Sequence, residues 1–197
     1  MQKLDLNILQ GKTFSRVIRW EKEPFIYVPI QAIARTAPAR ITAAAHSIPD
    51  GWRVAVVSAG GMRQINAQHN PPKAREFVRC TVVDPNTVDL NEINAAGFSP
   101  YTSGGYLQHY TPASLAGATA RMTIRNRVGG TELLALTSPV GIAIDDATKT
   151  ITPQISAAAT AALTWRAGVY DLEIEDAAGV VTGLFYGAVT VTPEVTT

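Results

Sequence analysis

Few residues in this chain have the types and spacing that catalysis or metal binding requires. The three histidines, His46, His69 and His109, lie far apart, and none forms the i, i+4 pair of a helical zinc site. Cys80 is the single cysteine, and its alternation with Val82 indicates a thiol in a protein core. The sequence contains neither a Gly-x-Ser-x-Gly nucleophile elbow nor a phosphate-binding loop. We therefore expect a protein that is not an enzyme and that needs no metal or cofactor.

The adjacent carboxyl groups of Asp145 and Asp146 come closest to an acid/base pair. The runs 142–144 and 150–151 on either side are β-prone, so they predict a hairpin with these two residues in its loop. A solvated turn is then the simpler interpretation of the two acids. His46, which precedes the turn-forming residues 49–51, is likewise predicted to shape a turn.

Aromatic residues offer a different kind of candidate site, a surface that binds sugar rings or a partner. Tyr101, Tyr106 and Tyr110 lie in or beside a glycine-containing segment. Tyrosine combines an apolar ring with a hydroxyl group, which suits contact with a glycan. The same residue type is also favoured in cores and subunit interfaces. These three tyrosines are therefore candidate glycan or partner contacts, and the packing interpretation stays open beside this one.

Charged residues on two alternating strands form a further candidate. Arg121 and Arg125 alternate with apolar residues in 118–125, so we predict that both point outward. Asp171, Glu173 and Glu175 alternate with apolar residues in the same way. We predict that these five residues form an assembly face. The two strands pair within one sandwich or meet between neighbouring copies, and two ordinary solvated faces are the alternative.

The composition is that of a folded protein with almost no net charge. The chain has 197 residues, of which 46% are hydrophobic and 17% charged, and a formal net charge of +1. A nucleic-acid-binding protein usually has a clear basic excess, so we expect no nucleic-acid partner. No run approaches the roughly 18 apolar residues of a membrane span, and no apolar signal core is visible. We expect synthesis in a host cytoplasm and no membrane contact.

Short β-prone runs separated by Gly and Pro predict an all-β fold. Residues 37–110 have the most closely spaced strands, including 80–83 and 87–90 around the tight turn 84–86, and they predict a small β-barrel. Residues 1–36 and 111–197 share a different sequence pattern, in which apolar and polar residues alternate along β-prone runs. They are predicted to form one discontinuous β-sandwich that carries the barrel as an insertion. A short β arm cannot bury its own strands, which favours this arrangement. Two unrelated domains plus an arm are the alternative. Residues 156–163 predict one short helix.

Four segments of the flanking regions together form a recognisable pattern. They are Leu6-Asn-Ile-Leu-Gln-Gly-Lys-Thr-Phe14, Leu115-Ala-Gly-Ala-Thr-Ala-Arg-Met-Thr-Ile-Arg125, Gly168-Val-Tyr-Asp-Leu-Glu-Ile174 and Gly187-Ala-Val-Thr-Val191. This pattern resembles an immunoglobulin-like β-sandwich of tailed bacteriophages, and it is similar to the N-terminal domain of baseplate upper proteins and to related tail-fibre adaptors.

The middle of the chain contains four further segments that belong together. They are Pro38-Ala-Arg-Ile-Thr-Ala-Ala-Ala-His46, Pro49-Asp-Gly-Trp-Arg-Val54, Gly61-Met-Arg-Gln-Ile-Asn-Ala67 and Tyr101-Thr-Ser-Gly-Gly105. These segments resemble a second module, the small β-barrel of phage tail proteins, which is related to the first catalytic-cysteine half-domain of ubiquitin-activating enzymes. The relation implies no chemistry here, because Cys80 lies in the middle of a predicted strand.

Together the two resemblances imply a structural component of a virion. The expected role is an adaptor in the tail, baseplate or neck that docks on a symmetric ring and links to neighbouring subunits or fibres. The expected partners are other virion proteins and further copies of this chain. The alternative is a receptor- or glycan-binding module at the particle surface.

Overall fold

A computed structural model describes residues 1–195, and its fold is all-β apart from a few short helical turns. The strands are β1 (Gln2–Lys3), β2 (Leu6–Leu9), β3 (Phe14–Ser15), β4 (Ile18–Arg19), β5 (Glu21–Pro29), β6 (Ala32–Ala34), β7 (Ala39–Thr42), β8 (Arg53–Val57), β9 (Val78–Asp84), β10 (Thr87–Leu90), β11 (Tyr106–Pro112), β12 (Thr119–Arg125), β13 (Glu132–Thr137), β14 (Ile142–Asp145), β15 (Thr150–Ile155), β16 (Ala167–Glu175) and β17 (Val181–Thr192). The helical pieces are α1 (Ala157–Ala161) and two 3₁₀ turns, Arg63–Ile65 and Ala74–Glu76.

The chain divides into two compact units. The first unit combines Met1–Trp20 with the described residues from Ser114 onward, and the second unit is Glu21–Ala113. These limits differ from the predicted limits at 36 and 110. The reason is that β5 and β6, which precede residue 36, pair within the sheet of the second unit. No helix among residues 1–195 has the length and apolar character needed to cross a membrane.

The first unit is sandwich-like, because two sheets share one buried core. The larger sheet has the order β1-β17-β16-β12-β13, with β2 also paired to β17, and the smaller sheet joins β14, β15, β3 and β4. Met122 and Leu172 from the larger sheet and Ile142 and Ile151 from the smaller sheet belong to the same buried cluster. The alternation predicted for β12 and β16 is confirmed, because the inward residues of both strands are buried.

The N-terminal strands pair with the C-terminal part of the chain, as the sequence predicts. β1 and β2 both run parallel to β17, while β3 and β4 pair with β15. The C-terminal hairpin of β16 and β17 and the hairpin of β14 and β15 are also confirmed. The predicted helix is present but shorter, since α1 begins after the N-cap Ser156, whose hydroxyl accepts a hydrogen bond from the Ala159 amide.

The second unit is one seven-stranded sheet with the order β5-β11-β8-β9-β10-β7-β6. Val28 in the first of these strands and Ile33 in the last belong to the same buried cluster, so the sheet curls around a single core. Trp52 and Cys80 lie in that core without exposed surface, which agrees with the prediction of a core thiol. The tight turn between β9 and β10 is confirmed. The closed small barrel stays a prediction.

Candidate functional site

The charged face of the first unit is built by the register of β12 against β16. Arg121 lies directly opposite Glu173. The Nε atom of Arg121 donates a hydrogen bond of 2.8 Å to Glu173 Oε2, and Nη2 lies 2.7 Å from the same oxygen. The two strands therefore pair within one sandwich, which is the first of the arrangements that the sequence left open.

Arg125, the second predicted arginine of this face, lies at the end of β12 opposite Val169. Its Nη1 donates to the Gly130 carbonyl oxygen at 2.9 Å, and its Nη2 lies 3.7 Å from a carboxylate oxygen of Glu132. Arg125 therefore contacts the β12–β13 hairpin and no acid of β16. Arg121 meets an acid of β16 and Arg125 does not, because the register of the paired strands sets a different neighbour opposite each arginine. The spacing of the two arginines within β12 does not predict this.

Two acids of the predicted face keep their charge uncompensated. Asp171 is exposed opposite Thr123, and Glu175 is exposed opposite Thr119. Within residues 1–195, no ion pair involves either carboxylate. A shallow groove of about 250 Å³ lies beside Arg121 and Glu175. The outward face of β12 and β16 therefore has one internal ion pair and a local excess of negative charge.

The paired carboxyls Asp145 and Asp146 form the turn of the β14–β15 hairpin. Asp145 accepts hydrogen bonds from the Thr148 hydroxyl, at 2.8 Å, and from the amides that follow it, and these bonds lower its pKa. The Lys149 ammonium, 2.6 Å from Asp146, lowers the pKa of that carboxyl, and the Leu115 amide donates to the same oxygen. Both groups favour the ionised form. Neither is poised as a general acid, which agrees with the turn interpretation.

The histidines make separate contacts. His46 Nδ1 accepts a hydrogen bond from the Ile48 amide at 3.0 Å, and its Nε2 donates to the Asp84 carbonyl at 2.9 Å, so this residue shapes a turn as predicted. His109 is buried, and burial lowers its pKa. Its Nδ1 donates to the Tyr110 carbonyl at 2.8 Å. His69 pairs with Glu76.

The three candidate tyrosines have different surroundings. The hydroxyl of Tyr101 donates within the second unit, with the carbonyl oxygens of Ile30 and Gly104 at 3.0 and 2.9 Å. The ring of Tyr110 packs against Phe25 and Phe77. Tyr106, in contrast, is exposed. Only this third tyrosine offers its ring to solvent as a binding surface.

Tyr106 lies on one wall of a cleft of about 570 Å³ in the second unit. Its ring meets that of Tyr27 edge to face, with the centroids 6.2 Å apart and the planes at 90°. β11 pairs with β5 on one side and β8 on the other, so Tyr27, Gln108 and Ala55 are direct cross-strand neighbours. This sheet wall therefore presents two aromatic rings, beside the buried side chain of Gln108. The lining residues are Tyr27, Val57, Ser58, Ala67, Gln68, His69, Asn70, Tyr106 and Gln108.

The opposite wall is a loop that Glu76 holds in place. The Glu76 carboxylate accepts hydrogen bonds of 2.7 Å from the amides of Gln68 and Lys73, and it lies 3.1 Å from His69 Nδ1. The Lys73 amide is the largest cause that lowers the pKa of Glu76 to about 2. The Ala67 amide joins the loop to the Val56 carbonyl at 2.7 Å. Hydrogen bonds therefore hold both walls of the cleft to the rest of the second unit.

The floor of the cleft contains a buried carboxamide without a partner. Gln108 is 1% exposed, and its Nε2 has no hydrogen-bond partner among the described residues. Buried polar groups in folded proteins are almost always hydrogen-bonded, so each exception needs an explanation. Ser58, at the edge of the same cleft, has a φ of 60°, which is uncommon for a residue with a side chain. Neither feature is confined to the cleft, because His109 Nε2 is also buried without a described partner and Ala45, Ser47 and Lys149 also have a positive φ.

The sequence analysis identified Tyr106 but missed its neighbours in the cleft. Tyr27 and Gln108 belong to β5 and β11, and only the pairing of these distant strands brings them together. The run from Gln68 to Asn70 contains two carboxamides and an imidazole, which is a weak local signal of a polar loop.

Neither comparison with known proteins identifies the chain. No protein-family model matches it, and no curated protein is similar enough to count as a match.

Proposed function

We propose that this chain is a non-enzymatic structural component of a tailed-phage particle, an adaptor in the tail, baseplate or neck. The proposal starts from the resemblance of its flanking and middle segments to two modules of phage tails. The observation that supports it best is that the chain forms two compact β units, one of which combines both ends of the chain. An adaptor needs two such bodies, one to dock on a ring and one to meet a neighbouring subunit or fibre.

The outward face of β12 and β16 is the proposed docking surface. Arg121 and Glu173 neutralise each other, whereas Asp171 and Glu175 remain as exposed charges. Charge complementarity gives an interface its specificity and its orientation. The partner surface in the ring is therefore expected to be basic. Identical copies around a symmetric ring then repeat the same weak contact and add up to a stable assembly.

Charge reversal of the two free acids tests this proposal. Asp171→Lys with Glu175→Lys should leave the melting temperature of the isolated protein almost unchanged, because both side chains are exposed and unpaired. The same variant should be missing from purified particles, which quantitative mass spectrometry measures against the major tail protein. Glu23→Lys with Glu92→Lys makes the same change in net charge on exposed residues of the second unit and serves as the matched control.

Normal incorporation of the Asp171/Glu175 variant would exclude this face as the docking surface. Equal loss of the variant and the control would show that net charge, rather than this face, governs incorporation. Absence of the unmodified chain from purified particles would overturn the proposed function itself.

A further inference from the structure

The cleft between the sheet wall and the loop of the second unit has a size and a lining that the adaptor role does not require. Its volume of about 570 Å³ lies within the range of small-molecule sites, roughly 300–1,000 Å³. Its walls are fixed by backbone pairing and by the Glu76 carboxylate. A fixed cleft loses little conformational entropy when a ligand binds, so it is suited to binding.

The lining excludes two classes of ligand. Among the described residues that line the cleft, there is no Lys, Arg, Asp or Glu. His69 is the one member of this lining that could carry a positive charge, and it already pairs with Glu76. A phosphate, sulfate or carboxylate ligand would therefore find no free counter-charge there, and desolvation of its charge would oppose binding. A wholly apolar ligand would leave the Gln108 carboxamide as unsatisfied as it is without ligand. The ligand that fits is uncharged and rich in hydrogen-bonding groups.

A pyranose ring has this combination of properties. Its C–H groups form apolar faces, and its hydroxyl groups each donate and accept a hydrogen bond. Tyr27 and Tyr106 offer aromatic surface for the faces. The carboxamides of Gln68, Asn70 and Gln108 each provide a donor and an acceptor for neighbouring hydroxyls.

We propose that this cleft binds a neutral saccharide. Tyr106 stacks on a C–H face of the sugar, and the carboxamide of Gln108 hydrogen-bonds to its hydroxyl groups. The buried Nε2 of Gln108 is the feature that a ligand completes. A peptide strand added to the free edge of β5 is a different mode of binding, because it would pair main chains and would not need Gln108.

The test uses the full chain on an array of neutral oligosaccharides of glucose, galactose, mannose and N-acetylglucosamine, together with sialylated and sulfated oligosaccharides. Binding to some neutral members is expected. Tyr106→Ala should weaken that binding about tenfold, since loss of an aromatic anchor has effects of this size. Tyr186→Ala is the matched control, because Tyr186 in the first unit is 46% exposed and Tyr106 is 44% exposed. The control should bind as the unmodified chain does.

Gln108→Met separates ligand binding from a structural role of this residue. Methionine keeps the length of the side chain and removes the buried polar group. If Gln108 serves a ligand, the variant loses binding while its melting temperature rises by about 2–4 °C, because an unsatisfied buried amide has been removed.

Several results would overturn the proposal. These are an array without bound neutral sugars, binding that is confined to acidic sugars, and neutral-sugar binding that Tyr106→Ala leaves intact. A lower melting temperature for Gln108→Met with unchanged binding would also contradict it. None of these results bears on incorporation into particles, so the adaptor proposal is tested separately.

Discussion

The two units of this molecule differ in the candidate surfaces that they offer. In the first unit, the buried hydroxyl of Thr160 donates within the fold, with the Lys12 carbonyl oxygen at 2.8 Å, and the charged pair of Arg121 and Glu173 lies on the outward sheet face. In the second unit, Gln108 is buried under a cleft with its Nε2 unsatisfied.

This difference separates two kinds of surface. Exposed charges such as Asp171 and Glu175 are solvated, so a partner that covers them must replace the lost water with a compensating basic surface. A buried amide without a partner has a standing energetic cost that a ligand can remove. Under our two proposals, the first unit assembles through a charged face and the second unit binds a small uncharged group.

The largest expected effect comes from the core of the second unit, which contains the cleft. Trp52 is fully buried, and its Nε1 donates to the Tyr110 carbonyl at 3.1 Å. Trp52→Ala should lower the free energy of unfolding by about 3–5 kcal/mol and abolish saccharide binding. Met122→Ala in the core of the first unit is the comparison, with an expected loss of about 2–5 kcal/mol and retained binding. Urea unfolding measures both losses.

A loss below about 1 kcal/mol for Trp52→Ala would mean that the second unit is not organised around this side chain. Loss of saccharide binding in Met122→Ala while that variant stays folded would remove the distinction between the units.

A smaller effect is expected from the carboxylate that holds the cleft loop. The pKa of Glu76 falls from an ordinary 4.5 to about 2 in the folded protein. Because the folded state has the lower pKa, ionised Glu76 contributes stability above about pH 4.5 and loses that contribution as the pH falls towards 2. After correction for intrinsic exchange, the protection of the Gln68 and Lys73 amides against hydrogen exchange should decrease as the pH falls over this range.

Glu76→Gln is the control for the pH prediction. Its Gln68 and Lys73 amides should exchange faster at neutral pH, after correction for intrinsic exchange, and should show no further change between pH 4.5 and 2. Identical pH profiles for the variant and the unmodified chain would show that another acid controls this loop.

The smallest effect is expected on the charged face. The side chains of Arg121 and Glu173 are 57% and 29% exposed, so solvent screens their attraction. A double-mutant cycle with Arg121→Ala and Glu173→Ala should give a coupling energy of about 0.2–1 kcal/mol, smaller at high salt. A coupling above about 2 kcal/mol would indicate a structural ion pair and would weaken the contrast with the second unit.

Sequence patterns correctly predicted the strands that have one buried face and one exposed face. The period of two in β12 and β16 determined which residues point inward, and the turn residues located the hairpins of β9–β10, β14–β15 and β16–β17. Such patterns are local, because they depend only on which side of a strand meets the core. They do not report which distant strand becomes a neighbour.

Because local patterns do not identify distant strand partners, the predicted and observed structures differ in two places. β5 pairs with β11, which lies near the other end of the second unit in the sequence. No local feature of residues 21–29 assigns the strand to that sheet. The same pairing creates the cleft, since it sets Tyr27 beside Gln108 and Tyr106. Register is also why Arg125 meets Glu132 instead of an acid of β16. Candidate residues were visible in the sequence wherever alternation was enough, and were missed wherever long-range pairing decided the contact.

The most direct test of the adaptor role is a cryo-EM map of intact particles that carry this chain. The account predicts density for both β units in a symmetric ring, with Asp171 and Glu175 facing a basic surface of a neighbouring subunit. A map in which both acids face solvent in every copy would contradict the proposed docking surface. A map of well-resolved tail, baseplate and neck without density for this chain would contradict the adaptor role as a whole.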